Sequence, residues 1–462
     1  MNNIVYSVNQ KPPLGKLILS AFQQLLAVLA ATIAVPAIIG NGMSQSAALF
    51  GAGVGTLVYL AFTKFKSPVF LGSSFAFLGS MSAAFAGAAT ASIGYVGLIL
   101  GGTFAALIYV ILSLLVKLFG TKWIDNIMPP VVIGPTVAII GLSLAPNAIG
   151  DLSLGNVYND AGEVLANPYI CIGVGIFTLI AVINFSIFAN KTSKMIPFIL
   201  GIALGYIVAS ILTLIGNLAN VDVLKIIDFS LFKNIQWVPD FAFIQAFTKP
   251  NDLSMSGGEW AKYIGVIALA YIPVAFVVFA EHIADHKNLS SIIGNDLLKE
   301  PGLHRTLLGD GVGSFVGSVF GGCPNTTYGE SIACVAISGN ASVWVTGLTA
   351  ILAIVISFFG PFVTLLATIP SCVMGGVCMA LYGFIAVSGL KMLKDVDLSD
   401  NKNIFVISTI LVAGVGGLVL RFYGIEITEV ACALILGIII NGFVNFTNSK
   451  KKEANNDETR SK

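Results

Sequence analysis

The chain has 462 residues, of which 56% are hydrophobic and only 10% are charged, with 24 Lys and Arg against 23 Asp and Glu. An ordinary soluble domain carries about 25% charged residues, so this composition excludes a soluble protein and predicts an integral membrane protein. The near balance of charge gives no basic surface of the kind that binds nucleic acid.

The first sixteen residues are polar and contain Pro12 and Pro13, and the first apolar run is already as long as a full span. This pattern predicts a cytoplasmic N-terminal segment and not a cleavable signal peptide. Because a bilayer core needs about 20 apolar residues per helix, the rest of the chain predicts about fourteen transmembrane helices. The predicted spans are 17–39, 45–63, 68–87, 92–116, 127–148, 168–189, 195–217, 261–284, 306–322, 323–338, 341–366, 370–390, 403–421 and 427–447.

The positive charges support this count. With a cytoplasmic N-terminus, 19 of the 24 Lys and Arg residues fall on the cytoplasmic side, as such residues do in membrane proteins. Both termini, including the tail at 448–462, are then expected in the cytoplasm of a bacterial cell. The polar stretch 218–260 is expected on the outer face.

The chain also contains a repeated pattern. The fifth span opens Met128-Pro-Pro-Val-Val-Ile-Gly134, and the twelfth, seven spans later, opens Ile369-Pro-Ser-Cys-Val-Met-Gly375. Because seven is odd, two such halves have opposite topology in the membrane. Inverted repeats of this kind are the architecture of secondary transporters, so the expected fold is an all-α, polytopic 7+7 inverted repeat.

Two spans at matching positions of the halves are interrupted. Pro324 and Gly329 break the tenth, and the third opens with Pro68 and runs through small, polar residues to Ser74 and Phe75. Irregular backbone at membrane depth occurs only where it is buried or lines a cavity. Paired interrupted spans therefore predict a central binding site.

Ionisable residues within spans are functional by default, and the sequence offers two candidates, Glu281 and Glu330. Two carboxylates with free amides, hydroxyls and aromatic rings suit a small, flat, neutral heterocycle that carries both N–H and C=O groups. A carboxylate in a site of this kind can also bind and release a proton. The alternative for Glu281 is a helix-end carboxylate at the membrane surface.

Three motifs resemble a known family. Glu281-His-Ile, Pro301-Gly-Leu-His-Arg305 and Asn325-Thr-Thr-Tyr-Gly-Glu330 are similar to the uracil permeases of the nucleobase–cation symporter 2 (nucleobase–ascorbate transporter) family, as is Gly72-Ser-Ser-Phe75. The resemblance runs over essentially the whole chain. The Asn-Thr-Thr-Tyr-Gly-Glu string favours a pyrimidine over a purine, because xanthine and urate members differ there.

The resemblance implies a core domain at 17–120 and 261–366, a gate domain at 121–217 and 367–447, and short antiparallel strands in spans 3 and 10. It implies proton-coupled import of uracil by a homodimer. The substrate-binding residues that it implies are Glu281, Glu330, Phe75, Gly329, Tyr328, Tyr382, Ala31 and Ser74.

The chain departs from the family in one place. Some members have a proton-coupling histidine four residues after the first Glu, where this sequence has Asp285 followed by His286. Proton coupling is therefore expected from Glu281 with Asp285 or His286. The alternative for Asp285 is a cytoplasmic helix-end charge.

Other classes of function fit less well. The histidines cluster in or near one predicted cytoplasmic loop, and the sequence has no HExxH or GxSxG motif, so an enzyme is not expected. The six cysteines form no CxxC, and neither a metal nor another cofactor is expected. An inorganic-anion exchanger on the same scaffold stays open, although two carboxylates facing the ligand would repel an anion.

Overall fold

The computed structural model describes residues 4–460 except 160, 234, 249, 423 and 424. Its α-helices are α1 Leu14–Ile39, α2 Gln45–Phe62, α3 Leu78–Ala86, α4 Ala91–Phe119, α5 Lys122–Ile127, α6 Pro130–Ser143, α7 Ala145–Asp151, α8 Pro168–Ile187, α9 Pro197–Ala219, α10 Ala242–Phe247, α11 Gly257–Ile293, α12 Leu303–Gly321, α13 Gly329–Ser338, α14 Val343–Ile356, α15 Gly360–Ala367, α16 Ser371–Lys391, α17 Asn401–Val415 and α18 Glu429–Arg460. The strands are β1 Leu71–Ser73, β2 Asn325–Thr327, β3 Leu420–Phe422 and β4 Ile425–Ile427.

Eight helices of the described residues are long and apolar enough to cross a membrane, and nine spans result if α14 and α15 form one. Further apolar helices of 10–17 residues include α13 and α17. The outer side of α4 shows why water cannot surround this fold, since Leu107, Ile111 and Leu114 are each more than half exposed on successive turns. Such a stripe faces lipid, so the protein is a multi-pass membrane protein.

The predicted span 341–366 is broken in the structure. The run 341–366 was expected as a single helix, but α14 and α15 meet at an angle of 86°. The break follows from the residues at the junction, because Gly360 and Pro361 open α15. Proline has no N–H to continue the preceding helix and is well suited to the first turn of a new one.

The helices pack in two groups. In the first, α12 packs against α2 and α4, α11 against α4, and α14 against α1 and α2. In the second, α16 packs against α6, α7 and α8, and α17 packs against α6 and α18. Fewer contacts join the groups, chiefly between α1 and α9 and between α11 and both α6 and α18. A surface between two weakly joined groups is where a membrane protein can form a ligand site.

The two proline-containing repeats open α6 and α16. Pro129 is the N-cap of α6 and Pro370 is the N-cap of α16, both with extended backbone. The two helices cross closely, because a Cβ on Gly141 would lie 2.2 Å from the carbonyl oxygen of Tyr382. Only glycine permits that approach, and it fixes the position of Tyr382.

At the centre of the molecule, β1 and β2 pair antiparallel, with Gly72 opposite Thr326. The ladder continues on both sides, since Ser74 N donates to the Pro324 carbonyl at 2.9 Å and Tyr328 N donates to the Phe70 carbonyl at 3.2 Å. Each strand leads into a short helix, α3 after a 3-10 turn and α13 directly. All six strand residues are buried, so this irregular backbone satisfies its polar groups inside the protein.

Residues 221–256 form a bridging segment that contacts both helix groups. Near its start, Ile226 N and Ile227 N donate to Thr213 Oγ1 of α9 at 3.0 and 3.1 Å. Near its middle, the ring of Phe241 packs against Phe50 of α2 and Phe320 of α12, with centroid distances of 5.0 and 5.7 Å. The segment therefore bridges the two groups at one end of the molecule.

Residues 4–10 form an N-terminal strap that lies along the connection between α13 and α14. Val5 N donates to the Gly339 carbonyl at 2.7 Å, Ala341 N donates to the Tyr6 carbonyl at 2.9 Å, and Val343 N donates to the Val8 carbonyl at 3.0 Å. The polar N-terminus is thus hydrogen-bonded to the first helix group.

Candidate functional site

The start of α13 provides free amide groups at the centre of the fold. Gly329 is its first residue and Tyr328 is its N-cap. Gly329 is exposed although strand β2 before it is buried, and a Cβ added there would meet nothing within 4 Å. The first N–H groups of a helix lack partners within the helix and carry the positive end of its dipole. They are therefore available to an acceptor atom in the open space beside Gly329.

Glu330 follows in the first turn of α13 and is half-buried. Its neighbour Ser331 is fully buried and holds the helix in place, because Ser331 Oγ accepts from Phe70 N at 3.1 Å and from Gln24 Nε2 at 2.8 Å. The carboxylate is also stabilised by the positive end of the helix dipole. Glu330 is thus a carboxyl group on a fixed support.

Glu281 lies within α11, which continues for three further turns to Ile293. The alternative that placed it at a helix end is therefore wrong. The sequence suggested an end because the apolar run stops at Ala280, but the helix does not stop there. Glu281 is half-buried while Ala280 and His282 on either side are fully buried. Asp285, one turn further along the same face, is hydrogen-bonded to Thr327, so this face of α11 is turned towards strand β2.

Asp285 is one turn further along α11 and is also half-buried. Thr327 Oγ1 donates to Asp285 Oδ2 at 2.6 Å, which joins α11 to strand β2. The alternative of a free helix-end charge is therefore wrong for Asp285 too. The hydrogen bond ties this carboxyl group to the strand that precedes Gly329.

His282 and His286 were expected in or near a cytoplasmic loop, but both lie inside α11 and are fully buried. Their rings stack with centroids 4.1 Å apart. His286 Nδ1 donates to the carbonyl of His282 at 2.8 Å, and His286 Nε2 lies 2.8 Å from Tyr59 Oη. Both nitrogens of His286 are therefore engaged within the protein.

Sequence reasoning missed Asp310. It lies in α12, is fully buried, and places Oδ2 2.7 Å from His282 Nδ1. His282 Nε2 is 2.9 Å from Thr306 Oγ1, whose hydroxyl donates to the Leu303 carbonyl at 3.0 Å. The signal was present, because Asp310 is an acidic residue inside the predicted span 306–322. The glycines around Asp310 made this segment difficult to recognise as a transmembrane helix.

Asp310→Ala is expected to lower the free energy of unfolding by about 1–3 kcal/mol, because it leaves Nδ1 of the fully buried His282 without its hydrogen-bond partner. Thermal unfolding of the purified protein in detergent measures the loss. Asp395 is exposed, so Asp395→Ala is the matched control and changes the free energy by less than about 0.5 kcal/mol. Equal melting temperatures for both variants would show that the buried pair does not stabilise the fold.

Four carboxyl groups lie on elements that meet at this place. Glu281 and Asp285 are one turn apart on α11, and Asp310 of α12 lies against His282 of the same helix. Glu330 follows strand β2, which Thr327 joins to Asp285. Among the described residues, no lysine or arginine forms an ion pair with any of these four groups.

The other predicted site residues supply an apolar wall. Tyr328 is buried and donates from its hydroxyl to the Ser73 carbonyl at 2.8 Å. The ring of Phe75 meets the ring of Tyr382 edge to face, with centroids 5.6 Å apart. Because Phe75 precedes α3 and Tyr382 is on α16, this contact joins the two helix groups beside the strands.

Ala31 on α1 and Ser74 after β1 are both fully buried, and the Ser74 hydroxyl has no hydrogen-bond partner in the described part of the chain. A buried hydroxyl of this kind can hydrogen-bond to a bound ligand. No group of three His, Cys, Asp or Glu side chains among the described residues is arranged to hold a metal ion.

Known proteins that resemble this chain in sequence are described as permeases. A family model described as a permease family matches residues 15–421. The uracil permease of Bacillus caldolyticus is 37% identical over 445 residues, which cover 96% of this chain and 95% of the relative. The uracil permease of Escherichia coli K12 is 33% identical over 440 residues, 95% of this chain and 93% of the relative. These relatives are named as permeases and not as enzymes.

Solved structures show the same fold in more distant proteins. The transmembrane domain of the cyanobacterial bicarbonate transporter BicA has a TM-score of 0.60 at 17% identity, covering 95% of this chain and 99% of that one. The murine anion transporter Slc26a9 has a TM-score of 0.62 at 13% identity, covering 95% of this chain and 69% of that one. At this level of identity the likeness concerns the fold alone.

Proposed function

This chain belongs to the permease family and is a multi-pass cell-membrane protein, and we propose that it imports uracil together with protons by alternating access. It is a transporter and not an enzyme. The substrate proposal is supported by relatives named uracil permeases that match over nearly the whole chain at 33–37% identity.

The site has the chemistry for a pyrimidine. Uracil carries two N–H donors and two carbonyl acceptors on a flat ring. In our proposal, the carboxyl groups of Glu281 and Glu330 accept from its N–H groups, and the backbone N–H groups of Phe75 and Gly329 donate to its carbonyls. Tyr328 and Tyr382 enclose the ring, with Ala31 and Ser74 beside it.

Proton coupling is supported by one observation above all, the cluster of Glu281, Asp285, Asp310 and Glu330 without a lysine or arginine partner. In our proposal, neighbouring carboxyl groups without a basic partner share protons. Because two of these groups also bind uracil, the number of protons in the cluster depends on its ligand. Asp285 is the stronger candidate for the coupling partner of Glu281, because both nitrogens of His286 are engaged by Tyr59 and by the carbonyl of His282.

We further propose that the first helix group is the core domain and the second is the gate domain of a 7+7 inverted repeat with about fourteen spans. Uracil would lie between them, where Phe75 meets Tyr382. We also propose that the protein is a homodimer and that both termini lie in the cytoplasm. An anion substrate, as for the structural neighbours BicA and Slc26a9, fits poorly because acidic side chains surround the site.

Uptake of radiolabelled uracil into proteoliposomes tests the proposal. An inward proton gradient is expected to drive accumulation, a protonophore is expected to abolish it, and excess unlabelled xanthine is expected to leave it unchanged. Liposomes without protein are the control. Uptake that is the same with and without the proton gradient would contradict proton coupling. Inhibition by unlabelled xanthine as strong as that by unlabelled uracil would contradict the preference for a pyrimidine.

A further inference from the structure

The helix that carries Glu330 needs support at both ends. α13 has only ten residues, and a helix of this length is not stable by itself. Its first end is fixed by the strands, because Tyr328 N donates to the Phe70 carbonyl and Phe70 N donates to Ser331 Oγ. Whatever fixes its second end also determines where Glu330 lies.

The N-terminal strap provides that second support. Val5 N and Tyr6 N both donate to the carbonyl of Gly339, the C-cap of α13, at 2.7 and 3.3 Å. The side chain of Val8 is only 8% exposed and packs in one apolar cluster with Ile332 and Val335 of α13. The strap thus contacts α13 through both backbone and side chain.

The strap is itself held in place. Lys11 Nζ lies 5.1 Å from the ring centre of Trp344 and Lys16 Nζ lies 5.9 Å from that of Tyr6. The hydroxyl of Ser342 donates to the carbonyl of Gln10. These contacts join the strap to the start of α1 and the start of α14, so it is a fixed part of the first helix group.

We propose that the N-terminal strap is a positioning element for the ligand site. It holds the Gly339 end of α13 and thereby places Gly329 and Glu330 at the other end, about 15 Å away along a helix with a rise of 1.5 Å per residue. Because both ends of so short a helix move together, loosening the strap displaces the amides and the carboxylate that meet the substrate. The inference rests on the proposed transport of uracil.

The test compares Val8→Asp with Val5→Asp. Val5 lies on the same strap but is 58% exposed, so the two variants make the same change on opposite sides of the strap. Val8→Asp is expected to raise the KM for uracil uptake in proteoliposomes by about tenfold, which corresponds to ~1.4 kcal/mol. Its maximal rate per reconstituted molecule is expected to stay near that of the wild type. Val5→Asp is expected to behave as wild type, and Val8→Ile is expected to keep the normal KM.

Val8→Thr keeps the shape of the side chain and replaces one methyl group with a hydroxyl. It therefore tests the positioning role if Val8→Asp does not fold. A smaller rise in KM is expected from it. An unchanged KM in Val8→Asp, or in Val8→Thr if Val8→Asp does not fold, would overturn the positioning role. A fall in the maximal rate of that variant without a change in KM would also overturn it. A wild-type protein with no saturable uracil uptake would instead overturn the proposed function.

Discussion

Glu330→Gln is expected to abolish measurable uracil binding. The carboxylate accepts hydrogen bonds only, whereas a glutamine amide presents an N–H₂ group to a ligand N–H and leaves that donor unpaired. A hydrogen bond to a charged group contributes about 1.5–3 kcal/mol, and at 1.4 kcal/mol per factor of ten its loss weakens binding by roughly 10- to 150-fold. Isothermal titration of uracil into the purified protein measures it.

Glu300→Gln is the matched control for Glu330→Gln. Glu300 is exposed and pairs with Lys66, which lowers the pKa of the Glu300 carboxyl, so the control also removes a negative charge. It is expected to bind uracil as the wild type does. If Glu330→Gln bound uracil with the same affinity as Glu300→Gln, Glu330 could not be a ligand-binding residue.

Glu281→Gln is expected to abolish proton-driven accumulation of uracil. A glutamine cannot bind and release a proton, and in the proposed mechanism Glu281 must do both during each cycle. Glu281 belongs to the same carboxyl cluster as Asp285, Asp310 and Glu330, so a neutral residue there also changes how many protons the cluster holds. Gradient-driven uptake into proteoliposomes measures the loss.

Exchange of labelled for unlabelled uracil without a gradient separates coupling from binding in the same variant. Glu281→Gln is expected to retain more exchange than accumulation, because exchange requires no net movement of protons. Thr306→Val, which removes a buried hydroxyl next to His282, is the control for a change near the cluster that leaves every carboxyl group in place. Accumulation at the wild-type level by Glu281→Gln would contradict the proposed coupling.

The sequence predicted the local backbone of the proposed site best where proline, glycine or an acidic residue interrupts an apolar run. Proline and glycine inside apolar runs marked the segments around Ser74 and Gly329, and the structure has short strands there that pair across the molecule. Glu330 was recognised because it is an acidic residue within an apolar segment. These signals are local, so they could be read without knowing which helices are neighbours.

The sequence failed where the answer depends on how helices pack. Glu281, His282 and His286 follow the end of an apolar run, which suggested a loop, yet α11 continues, and both histidines have partners on other helices. Asp310 escaped notice because α12 is buried against α2 and α4, which are far from it in sequence. Contacts of this kind are set by tertiary packing and not by periodicity.

The bridging segment ties the two helix groups together at one end of the molecule. Its contacts at Ile227 and Phe241 belong to different helix groups, and the chain from one residue to the other extends to at most about 49 Å at ~3.5 Å per residue. In the proposed alternating-access cycle, the two groups can therefore separate at this end only as far as this connection allows.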